Sequence, residues 1–241
     1  MIGPQNASRS AGGQEHRAPR RLAAAVRGFI IPALAGAAGV RGRRDAQKSD
    51  YSMTRPKDFI TIVSGLPRSG TSLMMQMIDA GGIPPLVDHV RKPDEDNPRG
   101  YYEFEPVKQT RKDPSWLERA PGRVVKMVHM LLLDLPTDRR YRVVFTRRDI
   151  KEVVASQNVM LRRHGKDTAD LPEDKIVAMF EAQLAKVDRY LRQHACFEVL
   201  PVRYNDVLKD PGPTVEALNA FLGGDLDTEA MMAVVDPALY R

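Results

Sequence analysis

Cysteine is almost absent from this sequence. Cys196 is the only one among 241 residues, so the chain cannot form an internal disulfide, and no cysteines and histidines have the spacing of metal ligands. We therefore expect a reducing, cytoplasmic compartment and no metal. Cys196 falls where a helical pattern gives way to an apolar strand, which favours a buried structural thiol over a nucleophile.

Long apolar runs are also lacking. The stretch GFIIPALAGAAGV at residues 28–40 has 13 residues, whereas a membrane-spanning helix needs roughly 20. It fits a signal-peptide core, an interfacial anchor or sequence outside the natural protein. Residues 1–52 are rich in Arg, Ala, Gly and Ser, which predicts a disordered leader. Because Met53 shortly precedes the first predicted strand, we expect the catalytic domain to start there and to comprise residues 53–241.

Acidic residues are in slight deficit, with 31 Asp and Glu against 37 Lys and Arg and a net charge of +6. This balance suits an anionic small ligand as well as a polyanion. Apart from Phe29, no aromatic residues interleave with the arginines of the leader, so no nucleic-acid partner is expected. The sequence leaves monomer and homodimer open.

Short apolar runs alternate with helical patterns from residue 59 onward. This alternation predicts a three-layer α/β fold, with a mainly parallel sheet covered by helices on both faces. The predicted strands are Phe59–Ser64, Arg123–Val128, Tyr141–Thr146 and residues 197–202. Ligands of such sheets bind at the carboxyl ends of the strands, so residues 65–72 and 146–156 should line one crevice.

The first of these loops, GLPRSGTS, keeps the glycine spacing of a P-loop but has Thr71 in place of its lysine. Free amides, glycines and the helix dipole predict an anion site. A nucleotide hydrolase also needs an acidic metal ligand after a strand, yet Arg147 and Arg148 follow the strand at 141–146. We expect Arg148 to bind a second anion and Arg147 to be a solvated neighbour. A P-loop kinase or hydrolase, which would depend on Mg²⁺, is the alternative.

Three segments resemble the sulfotransferases that use 3′-phosphoadenosine 5′-phosphosulfate (PAPS). GLPRSGTSL is similar to their 5′-phosphosulfate loop, with Arg68 at the basic position. In RDIKEVVAS, Arg148 and Ser156 match the arginine and serine that bind the 3′-phosphate. VLPVRYNDVLKDPGPTVEALNAFLG looks like the strand, tyrosine and helix near the family's C-terminus, and Tyr204 is the matching tyrosine.

The resemblance implies a fold, an activity and a set of site residues. The implied reaction transfers the sulfonyl group of PAPS to a hydroxyl or amine acceptor, without a metal. Arg68 would stabilise the leaving phosphate, and the methionines of LMMQM would pack behind the loop. The implied cofactor-binding residues are Gly65, Pro67, Arg68, Ser69, Gly70, Thr71, Ser72, Arg148, Ser156 and Tyr204.

Two segments contain candidates for the general base, and the sequence does not choose between them. VVKMVHMLL contains Lys126 and His129, which are one residue further apart than in the family's lysine–histidine pattern. They would face opposite ways unless the strand ends between them. In DEDNPRGYYEFEPV the candidates are Glu103 and Glu105, as a glutamate serves the tyrosyl-protein branch. His89 is a further candidate, and Tyr101, Tyr102 and Trp116 could shape an acceptor pocket.

The C-terminus departs from the cytosolic branch of the family. That branch ends its cofactor site with a segment similar to RKGxxGDWK, whereas this chain ends in MMAVVDPALYR. The difference places the chain nearer the bacterial branch or marks a shortened adenine site. A non-catalytic member that binds a nucleotide is the third functional alternative. Loops 84–122 and 163–173 should choose the acceptor, whose chemistry the sequence does not reveal.

Overall fold

A computed structural model describes residues 58–88, 90, 94, 97, 100–163, 165 and 172–236. The leader at residues 1–52, the expected start at Met53, and His89 lie outside these residues. Within the described part, the strands are β1 (Ile60–Gly65), β2 (Val124–Val128), β3 (Tyr141–Arg147) and β4 (Phe197–Arg203). All pairings are parallel and the order is β2-β1-β3-β4, so the predicted fold class and strands are confirmed.

Six α-helices and three short 3-10 helices connect the strands in the described ranges. The α-helices are α1 (Thr71–Ala80), α2 (Ile150–Arg163), α3 (Glu173–Gln193), α4 (Tyr204–Lys209), α5 (Gly212–Leu222) and α6 (Thr228–Ala233). The 3-10 helices are Glu105–Gln109, Ser115–Arg119 and His129–Asp134.

The sheet separates two hydrophobic cores, because successive strand residues point to opposite faces. On one face, Ile62, Met127 and Phe145 pack against the 3-10 segments and α3. On the other, Val63 and Val144 pack against α1, α4, α5 and α6. Covering both faces accounts for the nearly continuous apolar character of β1 and β3.

The packing expectations for single side chains are largely met. Met74, Met75 and Met77 of α1 are fully buried, as predicted for the LMMQM segment. Cys196 is half-buried rather than buried, and it packs against the first core. Partial burial raises the pKa of its thiol, which disfavours the nucleophilic thiolate.

The strand order creates a crevice at the carboxyl end of β1. The chain leaves β1 for β2 on one side, while β3 lies on the other side of β1. Connections that depart in opposite directions leave space at this end of the sheet, where ligands of α/β proteins bind. The loops at residues 65–70 and 147–149 both open there.

Candidate active site

The backbone of the 65–70 loop turns sharply between β1 and α1. Gly65 has no room for a side chain, since a Cβ there would lie 2.1 Å from Thr146 Oγ1. Gly70 adopts φ 94° and Arg68 adopts φ 67°, both in the left-handed region. The first helical hydrogen bond runs from Met74 N to Gly70 O at 3.2 Å. The preceding amides of the first turn therefore have no helical acceptor and point toward the crevice.

Ser69 supports the loop from inside. Its hydroxyl oxygen lies 2.6 Å from Leu66 O and 2.6 Å from Thr146 Oγ1, and the residue is buried. Its amide donates to Leu66 O at 3.2 Å. Ser69 is one of the predicted cofactor-binding residues, and in this conformation its amide and hydroxyl both make contacts within the protein. Sequence reasoning missed Thr146, whose hydroxyl also donates to Ser64 O at 3.2 Å.

Arg148 is held at the start of α2. Its side chain is only 5% exposed, and Nε donates to Glu152 Oε2 at 2.8 Å. Asp149 accepts from the amides of Lys151 and Glu152, which fixes the beginning of the helix. Arg148 Nη1 also donates to Arg68 O at 3.1 Å, so the second loop is attached to the first.

Arg68 links the two predicted anion subsites. Its Nε donates to Ser156 Oγ at 3.1 Å, across 88 residues of sequence. Arg68 thus contacts both residues of the expected 3′-phosphate site, Ser156 through its guanidinium and Arg148 through its backbone carbonyl. The sequence placed Arg68 at the leaving phosphate, whereas in this conformation its guanidinium contacts Ser156 of α2.

Tyr204, the first residue of α4, forms the wall behind this cluster. A Cβ at Gly70 would lie 2.2 Å from Tyr204 Cδ2, so the ring packs directly on the Gly70 backbone. The Arg148 guanidinium carbon lies 5.1 Å from the centre of the same ring. Asn205, the next residue of α4, donates to Glu152 Oε1 at 3.3 Å, so α4 contacts both Arg148 and the carboxylate that pairs with it.

Lys126 reaches the beginning of α1 from β2. Its Nζ donates to Ser72 Oγ at 3.0 Å and to Tyr101 O at 2.7 Å. Asn97 Nδ2 donates to the same serine oxygen at 2.8 Å. A cation thus stands beside the first turn of α1, although the position of the P-loop lysine is taken by Thr71.

His129 is enclosed rather than facing the crevice. β2 ends at Val128, so Lys126 and His129 are not in one extended strand. His129 is fully buried, its Nε2 lies 2.8 Å from Gln183 Oε1, and Nδ1 has no partner at hydrogen-bond geometry. Burial lowers the pKa of the imidazole, only partly opposed by Gln183 and the nearby Gly65 backbone. His129 is therefore neutral at pH 7.

The segment after residue 100 contains the carboxylate candidates. Glu103 is half-buried and lies two residues beyond Tyr101, whose carbonyl binds Lys126. Glu105 begins a 3-10 helix and pairs with Lys108 at 2.5 Å. Trp116 does not line a pocket: it is buried, and its Nε1 donates to Thr110 Oγ1 at 3.0 Å.

Several other side chains differ from their predicted surroundings. Tyr101 is buried and its hydroxyl donates to Asp94 Oδ1 at 2.6 Å. Tyr102 has φ 53°. Burial raises the pKa of Asp79, and the hydrogen bond from Tyr102 partly opposes this rise. Arg147 is not simply solvated, because it pairs with Asp188 and covers the Phe145 ring.

Sequence reasoning missed Glu152, Gln183, Thr146 and Asn97. Glu152 had a usable signal, since it stands one helical turn after Arg148. The others meet their partners only through distant parts of the chain. Among the described residues, no group of His, Cys, Asp and Glu has a geometry that could hold a metal ion. No helix in the described ranges is long and apolar enough to cross a membrane.

The sequence profile of the sulfotransferase domain matches residues 58–239. A search of curated proteins by sequence found no match. Among solved structures, a sulfotransferase from Mycobacterium tuberculosis has 19% identity and a TM-score of 0.50, covering 77% of this chain and 72% of its own. At this identity the likeness supports the fold alone.

Two other sulfotransferase-fold structures are more distant in shape. The sulfotransferase domain of the Synechococcus PCC 7002 olefin synthase has 17% identity and a TM-score of 0.45, covering 80% of this chain and 90% of its own. Retinol dehydratase, in complex with androsterone and the inactive cofactor PAP, has 19% identity and a TM-score of 0.43. The match covers 77% of this chain and 65% of the retinol dehydratase chain.

The domain match spans the P-loop-like segment, the Arg148 segment and the C-terminal strand and helices, and the structure brings the first two together with Tyr204 of the third. It favours sulfonyl transfer over the kinase and the non-catalytic alternatives. The chain therefore belongs to the sulfotransferase family and is a sulfotransferase.

Proposed function

We propose that the chain moves the sulfonyl group from PAPS to a hydroxyl or amine acceptor by in-line transfer. The acceptor forms a bond to sulfur as the bond between sulfur and the 5′-phosphate oxygen breaks, and 3′,5′-adenosine bisphosphate (PAP) leaves. The observation that carries this proposal is the arrangement of three cations at the 65–72 loop: Lys126 contacts Ser72 in the first turn of α1, Arg148 donates to the Arg68 carbonyl, and the Arg68 guanidinium contacts Ser156. Three cations and a helix N-terminus suit a ligand with separated anionic groups.

The 5′-phosphosulfate would lie on the first turn of α1. Its oxygens would accept hydrogen bonds from the backbone amides of Gly70, Thr71 and Ser72, which have no acceptor within the helix. Lys126 would neutralise the bridging oxygen as negative charge develops there. Gly65 and Pro67 shape the loop, and Ser69 holds it from beneath. Such preorganised donors act most strongly on charge that appears in the transition state.

The 3′-phosphate would bind between Arg148 and Ser156. Arg68 touches both residues and would add a second guanidinium there, or swing toward the 5′-phosphate when the ligand enters. Tyr204 forms the adjoining wall through its contact with Gly70 and Arg148. Glu152 would orient Arg148 toward this phosphate through its contact with Nε.

Glu103 is our proposed general base. It is half-buried beside the segment that binds Lys126, so an acceptor entering the crevice could reach it. His129 has the required neutral state, but its full burial separates it from an acceptor. The carboxylate would take the acceptor proton as the sulfur–oxygen bond forms.

We also propose that residues 53–241 form the catalytic domain, that residues 1–52 are a leader, and that the reaction takes place in the cytoplasm. The profile match, which begins at residue 58, supports the domain boundary.

The test is calorimetric binding of PAP without Mg²⁺, compared with ADP, for the wild type and Arg148→Ala. PAP should bind more tightly than ADP, and loss of Arg148 should weaken PAP by about 10- to 100-fold while changing ADP little, since a charge-assisted contact to the 3′-phosphate is removed. Arg192→Ala removes an exposed arginine of α3 and is the matched control. Preference for ADP, or a strict need for Mg²⁺, would contradict the proposal.

A further inference from the structure

The hydroxyl of Ser72 receives two donors from outside the loop. Lys126 Nζ lies 3.0 Å away and Asn97 Nδ2 lies 2.8 Å away. A hydroxyl oxygen has two acceptor positions and one hydrogen, so both acceptor positions are filled. The hydrogen must then point away from both donors. Ser72 is thereby fixed as a donor at the beginning of α1.

Asn97 is held in place by its own turn. Asp94 Oδ1 accepts from Asn97 N at 3.1 Å and from the Tyr101 hydroxyl at 2.6 Å. Gly100 N donates to Asn97 O at 2.9 Å. Tyr101 in turn accepts Lys126 Nζ through its carbonyl. The asparagine and the lysine are therefore attached to the same short segment and to the same serine.

The Asn97 amide has donor capacity beyond this contact. A primary amide nitrogen carries two hydrogens, and Ser72 takes one of them. The groups that meet at this point are an ammonium, an amide and a hydroxyl, and all of them donate. Among the described residues, the side chains that contact Ser72 Oγ are Lys126 and Asn97, and two donors of this kind suit the oxygens of one anion.

We propose that Asn97 is a ligand of the sulfonyl group, binding one of its oxygens through the second Nδ2 hydrogen. This inference rests on the proposed function, because it takes the first turn of α1 as the place of the phosphosulfate. A group leaving that turn toward the acceptor passes Ser72, and Asn97 and Lys126 are the side chains that contact its hydroxyl. Asn97 would therefore contact the sulfonate, which is the group that PAPS has and PAP lacks.

The experiment compares PAPS and PAP binding by calorimetry for the wild type, Asn97→Ala and Asn97→Asp, together with the rate of PAP release from PAPS in water. Asn97→Ala should weaken PAPS by about 10-fold and leave PAP unchanged, since one hydrogen bond to a charged oxygen is lost. Asn97→Asp should weaken PAPS further, because a carboxylate repels the sulfonate. Gln109→Ala removes an exposed amide nearby and is the control.

The Asp variant separates a ligand from a structural residue. If Asn97 only positions Ser72, the Asp side chain can accept the Ser72 hydrogen and pair with Lys126, so it should be tolerated better than Ala. That order, an equal loss of PAP and PAPS, or no change in PAPS affinity would overturn the inference. If Asn97→Ala has a lower melting temperature than the wild type, Asn97→Ser takes its place in the comparison. Failure of the wild type to bind PAP would instead remove the proposed function.

Discussion

The ring of Tyr204 lies directly against the backbone of Gly70, so that a Cβ at this glycine would be 2.2 Å from Tyr204 Cδ2. Gly70 also adopts φ 94°, a conformation that residues with a side chain rarely adopt. Both demands fall on the residue that precedes α1, where the phosphosulfate is proposed to bind. The loop and the wall of the site therefore depend on each other.

Gly70→Ala should destabilise the protein and weaken nucleotide binding together. The strained φ and the displaced tyrosine should lower the free energy of unfolding by about 2–4 kcal/mol. Gly82→Ala is a matched control, because Gly82 has φ 101° but no heavy atom within 4 Å of the added Cβ. It should cost about 1 kcal/mol from strain alone. Denaturant unfolding measures both, and equal losses would show that the Tyr204 contact is unimportant.

Arg68 adopts φ 67° without being glycine, a conformation that lowers the stability of the fold. Arg68→Gly should be more stable than Arg68→Ala by about 1 kcal/mol, because glycine adopts this conformation without strain. Both variants lose the guanidinium and should lose PAP affinity to the same extent. Denaturant unfolding and calorimetry on the pair test this. Wild-type affinity in Arg68→Gly would exclude the arginine from the anion site.

The buried His129 should make folding stability depend on pH. Its ordinary pKa is 6.5, and burial lowers it in the folded state. As the pH falls below 6.5, the unfolded chain takes up this proton first, so the contribution of His129 to stability is full above that pH and declines below it. The decline is at most about 1.4 kcal/mol per pH unit, and it stops below the folded pKa.

His129→Asn should remove this component of the pH dependence. The measurement is the free energy of unfolding between pH 5 and about 7.5 for both proteins, a range that brackets the histidine pKa. His194→Asn controls for the loss of another histidine. An unchanged slope in His129→Asn would mean that the imidazole is accessible to protons in the folded protein.

The two base candidates predict different kinetic losses. Glu103→Gln should reduce the rate of transfer to an acceptor by about 10²- to 10⁴-fold, with PAP affinity unchanged, because only proton removal is impaired. His129→Asn should mainly affect stability. Glu105→Gln is the matched control, since Glu105 pairs with Lys108. A large rate loss in His129→Asn, with a small one in Glu103→Gln, would show that His129 is the general base.

Local sequence was sufficient for the elements and for naming most of the residues of the proposed anion site. The strands were predictable because residues buried on both faces of a parallel sheet form unbroken apolar runs, as in β1 and β3. Gly65, Gly70 and Arg68 were predictable because a loop that enters a helix has a fixed spacing of its own. Arg148 and Ser156 share one strand–helix connection, which sets their separation without help from the rest of the chain.

Contacts between distant segments could not be predicted in this way. Nothing local indicates that Arg68 reaches Ser156, that Asn97 and Lys126 share the Ser72 hydroxyl, or that His129 is enclosed with Gln183. The strand order decides these contacts, because placing β1 between β2 and β3 brings the carboxyl ends of three strands to one crevice. Sequence alone therefore determined the strands and the residue types of the proposed anion site. The tertiary structure decided which of them meet, and whether a side chain faces the ligand or the core.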